Sequence, residues 1–111
     1  ENKLDLMIYI RSSDFFLANN WNVCTGALLV HLLCNIEGID YTPGILTVIT
    51  GNTHLYSNHK EQAIENISRK PRPFPKVVVL NKKKDINEFT YEDLKLVGYK
   101  PYPSIKASMA V

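Results

Sequence analysis

The stretch from Val23 to Ile36 limits how this chain can fold more than any other. Val23, Ala27, Leu28, Leu29, Val30, Leu32, Leu33 and Ile36 leave hardly any polar side on a helix of that length. A helix that is apolar nearly all round belongs in a core rather than on a surface. Its flanks say what it packs against. Residues 4–11, Leu4 to Arg11, are rich in strand formers, and Ile45 to Ile49 reads as a short buried strand. Asn19-Asn20 breaks the first strand pattern, and Asn22 is placed to cap the helix. Gly38 supplies its stop, and Tyr41-Thr42-Pro43-Gly44 turns the chain into the next strand.

Further along, Asn58-His59-Lys60-Glu61 has the spacing of a capping box that opens a helix through about Ser68. Pro71, Pro73 and Pro75 end it in an extended segment. Strands are expected at Lys76 to Leu80 and Asp93 to Val97, with a turn at Gly98-Tyr99-Lys100-Pro101. The loop Asn81 to Asp85 carries three lysines, read as a charged surface. Strands interleaved with two helices predict an α/β (α+β) fold.

Arg11-Ser12-Ser13-Asp14, directly after the first strand, has the chemistry of a phosphate clamp. A guanidinium donates two parallel bonds to phosphate oxygens, and two serine hydroxyls add neutral donors. Asp14 would repel the same phosphate, so it should face N–H groups of a ligand instead. The Asn22 amide offers a donor and an acceptor side by side, matching the N–H and carbonyl edge of a uracil ring. In Gly51-Asn52-Thr53-His54-Leu55-Tyr56-Ser57-Asn58-His59, strand alternation puts His54 and Tyr56 on one face, where they could hold a sugar hydroxyl. Each of these has a plain reading: Arg11 and Asp14 as a strand-end ion pair, Asn22 as a helix cap, His54 as a structural histidine. Together they point to a pyrimidine nucleotide.

At this point the chain resembles the C-terminal portion of the thymidylate synthase family. The blocks that carry the resemblance are Arg11-Ser12-x-Asp14, Asn22 before Ala27-Leu28-Leu29-Val30-His31, and Gly51 to His59. They continue with Arg69-Lys70-Pro71-Arg72-Pro73-Phe74-Pro75-Lys76, Tyr91-Glu92-Asp93, Gly98-Tyr99-x-Pro101-x-Pro103 and Ile105-Lys106-Ala107-x-x-Ala110-Val111. The match runs from about residue 4 to the last residue, in ordered blocks. It implies a mixed β-sheet packed by helices, with residues 1–111 forming the C-terminal portion of one such domain. The implied reaction is reductive methylation of dUMP to dTMP. Methylenetetrahydrofolate would give the one-carbon unit and the hydride and leave as dihydrofolate.

The resemblance also assigns roles. Arg11 binds phosphate and favours the thiolate of a nearby nucleophilic cysteine, Ser12 and Ser13 hold the nucleotide, and Asp14 serves nucleotide and folate. Asn22 fixes the base, and His54 and Tyr56 the sugar. Ala110 and the terminal carboxylate lie near the folate, with the tail from Ile105 closing over bound ligand. The family works as a homodimer whose partner subunit supplies further phosphate-binding arginines. Its nucleophile lies upstream of where this chain starts. A split enzyme, a cleavage product or a fragment is therefore expected, inactive without its N-terminal part.

Three positions depart from the family pattern. Ala18-Asn19-Asn20-Trp21 stands for the usual Gly-x-Pro-Phe on the folate side, Ile10 for a glutamine, and Gly26 for a tyrosine. These suggest a divergent member. The alternatives are a dUMP or dCMP hydroxymethylase, of which Asn22 disfavours the cytosine form, and a non-catalytic nucleotide-binding or assembly subunit.

Composition excludes other classes. A net charge of +2 does not call for nucleic acid, and no apolar run is long enough to span a bilayer. The start Glu1-Asn2-Lys3 has no signal-peptide pattern. Cys24 and Cys34, ten apart on a helix, cannot meet in a disulfide, which fits a reducing cytoplasm. With His31 they share one face, but as small hydrophobes rather than metal ligands, and no metal is expected.

Overall fold

The computed structural model describes residues 2–109. Its order is β1 (Lys3–Asp14), α1 (Asn19–Leu33), β2 (Thr42–His54), a 3₁₀ turn (Ser57–His59), α2 (Lys60–Ser68), β3 (Lys76–Val79) and β4 (Leu94–Val97). The fold is mixed α/β as expected. Among the described residues the strands form two pairs, β1 parallel to β2 and β3 antiparallel to β4.

A parallel pair needs a long crossover, and α1 is that crossover. Leu6, Ile8 and Ile10 face α1 with Leu46 and Val48, while the alternate residues point the other way. Gly26 lets the helix come close, because a Cβ there would run into Ile8 and approach Leu46 Cδ1 to 3.3 Å. A side chain at position 26 would need those neighbours to shift. β3 packs on α1 as well. The loop after β3 ties in the far end of α1, through Lys83 N to Asn35 O at 3.1 Å and Glu37 N to Lys83 O at 2.7 Å.

Several expectations are corrected. The first strand runs on to Asp14, and α1 begins at Asn19, so Asn22 is inside the helix and Ala18 holds the capping position. The helix ends at Leu33, before Gly38, although Gly38 does take a positive φ of 81°. The box at Asn58–Glu61 does not form: His59 is the residue before α2 and gives no side-chain cap. Burial differs too. α1 is covered on one side only, with Gly26 and Val30 buried and Trp21 and Leu29 exposed. β2 is no buried strand, since Ile45 is 69% exposed, on the face it shares with Met7 (66%) and Tyr9 (67%).

The chain therefore shows much apolar surface. Its area is 8738 Å², against about 6,200 Å² for a compact monomer of this mass. Its radius of gyration is 16.4 Å, against about 13 Å. The described helices include none long and apolar enough to cross a membrane.

Candidate functional site

β1 and β2 end together, with Asp14 opposite His54. The Phe15 N–H donates to His54 O at 2.9 Å and closes the pair. Asp14 Oδ1 then accepts from the N–H groups of Phe16 (3.2 Å) and Leu17 (3.1 Å), which bends the chain through residues 15–18. The Ala18 N–H donates to Asp14 O at 3.1 Å, and α1 starts at the next residue. Asp14 thus places the N-terminus of α1 at the carboxyl end of the strands. Crevices there are where open α/β folds hold ligands.

Ala18 has no side-chain oxygen, so the first N–H groups of α1 receive no side-chain cap. They present a partial positive charge suited to an anion. Arg11 stands three residues before the strand end, exposed, and makes no ion pair with the described residues. Ser12 is exposed next to it. Ser13 is buried, and its Oγ donates to Asn19 Oδ1 at 3.5 Å, tying β1 to the helix start. Asn22 lies half-buried in the second turn of α1.

His54 and Tyr56 do come together, their rings edge to face with centroids 4.9 Å apart. The reason is not strand alternation. β2 stops at His54, and Tyr56 leads into the 3₁₀ turn. Asp14 Oδ1 holds the turn, while Oδ2 has no partner among the described residues.

Two features escaped the sequence. His59 is fully buried, and its Nε2 lies 2.6 Å from Ser108 O in the tail. Arg69 and Arg72 clamp the segment before it: Arg69 donates to Pro103 O at 2.7 Å, and Arg72 to Lys100 O and Pro101 O at 2.8 and 2.9 Å. Arg72 also stacks 3.7 Å over the Tyr102 ring. These pairs line an open groove of about 380 Å³ with Phe74 and Tyr99. Only long-range contact could have shown either feature. Ala110 and Val111 lie outside the described residues.

Among the described residues no group of three or more His, Cys, Asp or Glu side chains is placed to hold a metal. Burial pushes the Cys34 thiol up, which makes it a poor nucleophile. The lysine loop is not only surface: Lys83 pairs with Asp93 at 2.9 Å. There the Thr90 backbone N–H, then the Lys83 ammonium, hold the buried Asp93 carboxyl well below the usual carboxylate range.

Residues 1–111 match the family described as thymidylate synthase over their whole length, so the chain belongs to that family.

Proposed function

We propose that this chain forms the C-terminal portion of an enzyme that methylates dUMP to dTMP, and that the carboxyl end of β1 and β2 is its nucleotide site. What supports the reading is a set of polar groups on the ends of β1 and β2 and the start of α1 that have no partner among the described residues. Arg11, Ser12 and the uncapped start of α1 can hold phosphate, and the His54–Tyr56 pair the sugar. Asn22 reads the uracil edge, and Ser13 braces the helix start that carries it.

In this mechanism the cysteine thiolate that adds to carbon 6 of the pyrimidine comes from the N-terminal part of the same enzyme. Arg11 neutralises the phosphate and favours that thiolate. The groups present fit a folate ring: Asp14 Oδ2 is an acceptor without a partner among the described residues, and Trp21, 76% exposed, offers a flat aromatic face. Methylenetetrahydrofolate would supply the one-carbon unit and the hydride. The tail from Ile105 would close over it and exclude water.

The exposed face of Met7, Tyr9, Ile45 and Ile49 supports assembly as a homodimer, and the surface area well above that of a compact monomer supports a further N-terminal portion. Two free thiols suit a cytoplasmic location.

Calorimetric titration of the full-length protein tests the reading. It should bind dUMP at least about tenfold tighter than dCMP, and Asn22→Asp should erase that preference. Equal affinity for both nucleotides, or none for either, would sink the assignment. Product mass separates methyl from hydroxymethyl transfer.

A further inference from the structure

His59 is a buried ring that touches three separate parts of the chain. Its centroid lies 5.6 Å from Phe16, in the turn that Asp14 builds, and 6.0 Å from Tyr56, which it meets edge to face. Its Nε2 lies 2.6 Å from Ser108 O, 49 residues on. A carbonyl oxygen only accepts, so Nε2 carries the proton and donates it. Asn58 Nδ2 donates to the same oxygen at 3.4 Å. The other ring nitrogen, Nδ1, is buried and has no partner among the described residues. The one hydrogen bond that the buried ring makes among the described residues is therefore to the tail.

We propose that His59 is a positioning residue that couples the C-terminal tail to the nucleotide site. The ring packs against both Phe16 and Tyr56, so a shift of either would displace it. Phe16 follows Asp14, and Tyr56 packs on His54. A nucleotide that orders the His54–Tyr56 pair would therefore fix the imidazole, and with it the donor that receives Ser108 O. The tail would close more firmly when the nucleotide is bound. The reciprocal also holds, since coupling between two sites is symmetric in binding free energy. This inference rests on the nucleotide reading for its ligand, while the latch itself rests on the His59–Ser108 bond.

The test is hydrogen exchange of the amides from Ile105 to Met109 in the full-length protein, with and without dUMP. His59→Leu keeps bulk but loses the donor, and His59→Gln keeps an N–H donor. Without nucleotide, His59→Leu should speed tail exchange by about tenfold, the worth of one sheltered hydrogen bond. Adding dUMP should slow the tail in the wild type, fail to do so in His59→Leu, and do so in part in His59→Gln. A purely structural role would not give that rescue.

If dUMP protects the tail of His59→Leu as well as that of the wild type, the coupling is wrong. If the wild type binds no dUMP, the nucleotide reading fails alone, and the nucleotide-free exchange rates still decide the latch. Should both variants misfold, the Nε2 proton resonance of His59 in the unmutated sequence replaces them. It should shift when residues 108–111 are removed, and an unchanged resonance would overturn the proposal.

Discussion

Asp14 and Asp93 both sit where a turn meets a strand, yet they spend their carboxylates differently. Asp93 accepts from four donors: Thr90 N (2.8 Å), Thr90 Oγ1 (3.0 Å), Lys83 Nζ (2.9 Å) and Asn81 Nδ2 (3.4 Å). Each is supplied by the chain itself, and the cluster ties the 80–93 segment to the end of α1 through Lys83. Asp14 spends one oxygen on two backbone N–H groups, and Arg11 nearby makes no ion pair with the described residues. The Asp93 cluster is closed and serves stability. The strand-end cluster is open, and Arg11 and Asp14 Oδ2 have no side-chain partner among the described residues. Charge density alone would not separate the two; satisfaction of each polar atom does.

The largest expected effect breaks the open cluster. On the proposed reading Arg11→Ala would remove two charge-assisted bonds to phosphate, so dUMP affinity measured by calorimetry should fall about 100-fold. The melting temperature should stay put, because the guanidinium pairs with nothing described in the fold. A large drop in melting temperature with unchanged affinity would reverse the roles of the two clusters.

A smaller effect, read in stability rather than binding, comes from Asp93→Asn. The backbone N–H of Thr90, followed by Lys83, lowers the Asp93 pKa from its ordinary 3.8, against a smaller opposing effect of burial. A carboxyl held low in the folded state adds stability that is fully present above the ordinary value and is lost as pH falls through the folded one. Asp93→Asn should therefore melt below the wild type at pH 7, and the gap should narrow as pH drops below about 4. Its dUMP affinity should match the wild type. Parallel melting curves across that acid range would show that the carboxylate contributes nothing through its charge.

Local chemistry was legible in the sequence, and distant partnership was not. The strand from residue 4 and the helix after it follow from neighbours a few positions apart. Even so, the helix starts at Asn19 rather than Val23, because Asp14 builds the turn through two backbone N–H groups that no composition rule reveals. Lys83 looked like a solvated charge because its partner lies ten residues on. His59 looked like part of a cap because its acceptor lies 49 residues away. The all-round apolar pattern of α1 predicts a buried helix, whereas this chain covers only the side held by Gly26 and Val30.

The smallest effects sharpen the comparison most, because one hydroxyl is removed from each cluster. Thr90 Oγ1 donates to a carboxylate that is already saturated, so Thr90→Ala should cost about 1 kcal/mol of stability. For a chain of this size that is a fall of about 4–8 °C in melting temperature. Ser12 Oγ has no described partner, so Ser12→Ala should leave the melting temperature unchanged and weaken dUMP binding by about fivefold. The Thr90 variant should bind dUMP normally. The two sites share no partner, so the double variant should show the sum of both changes. If Ser12→Ala lowers the melting temperature as much as Thr90→Ala, its hydroxyl already has a structural partner, and the strand end is no more open than the Asp93 cluster.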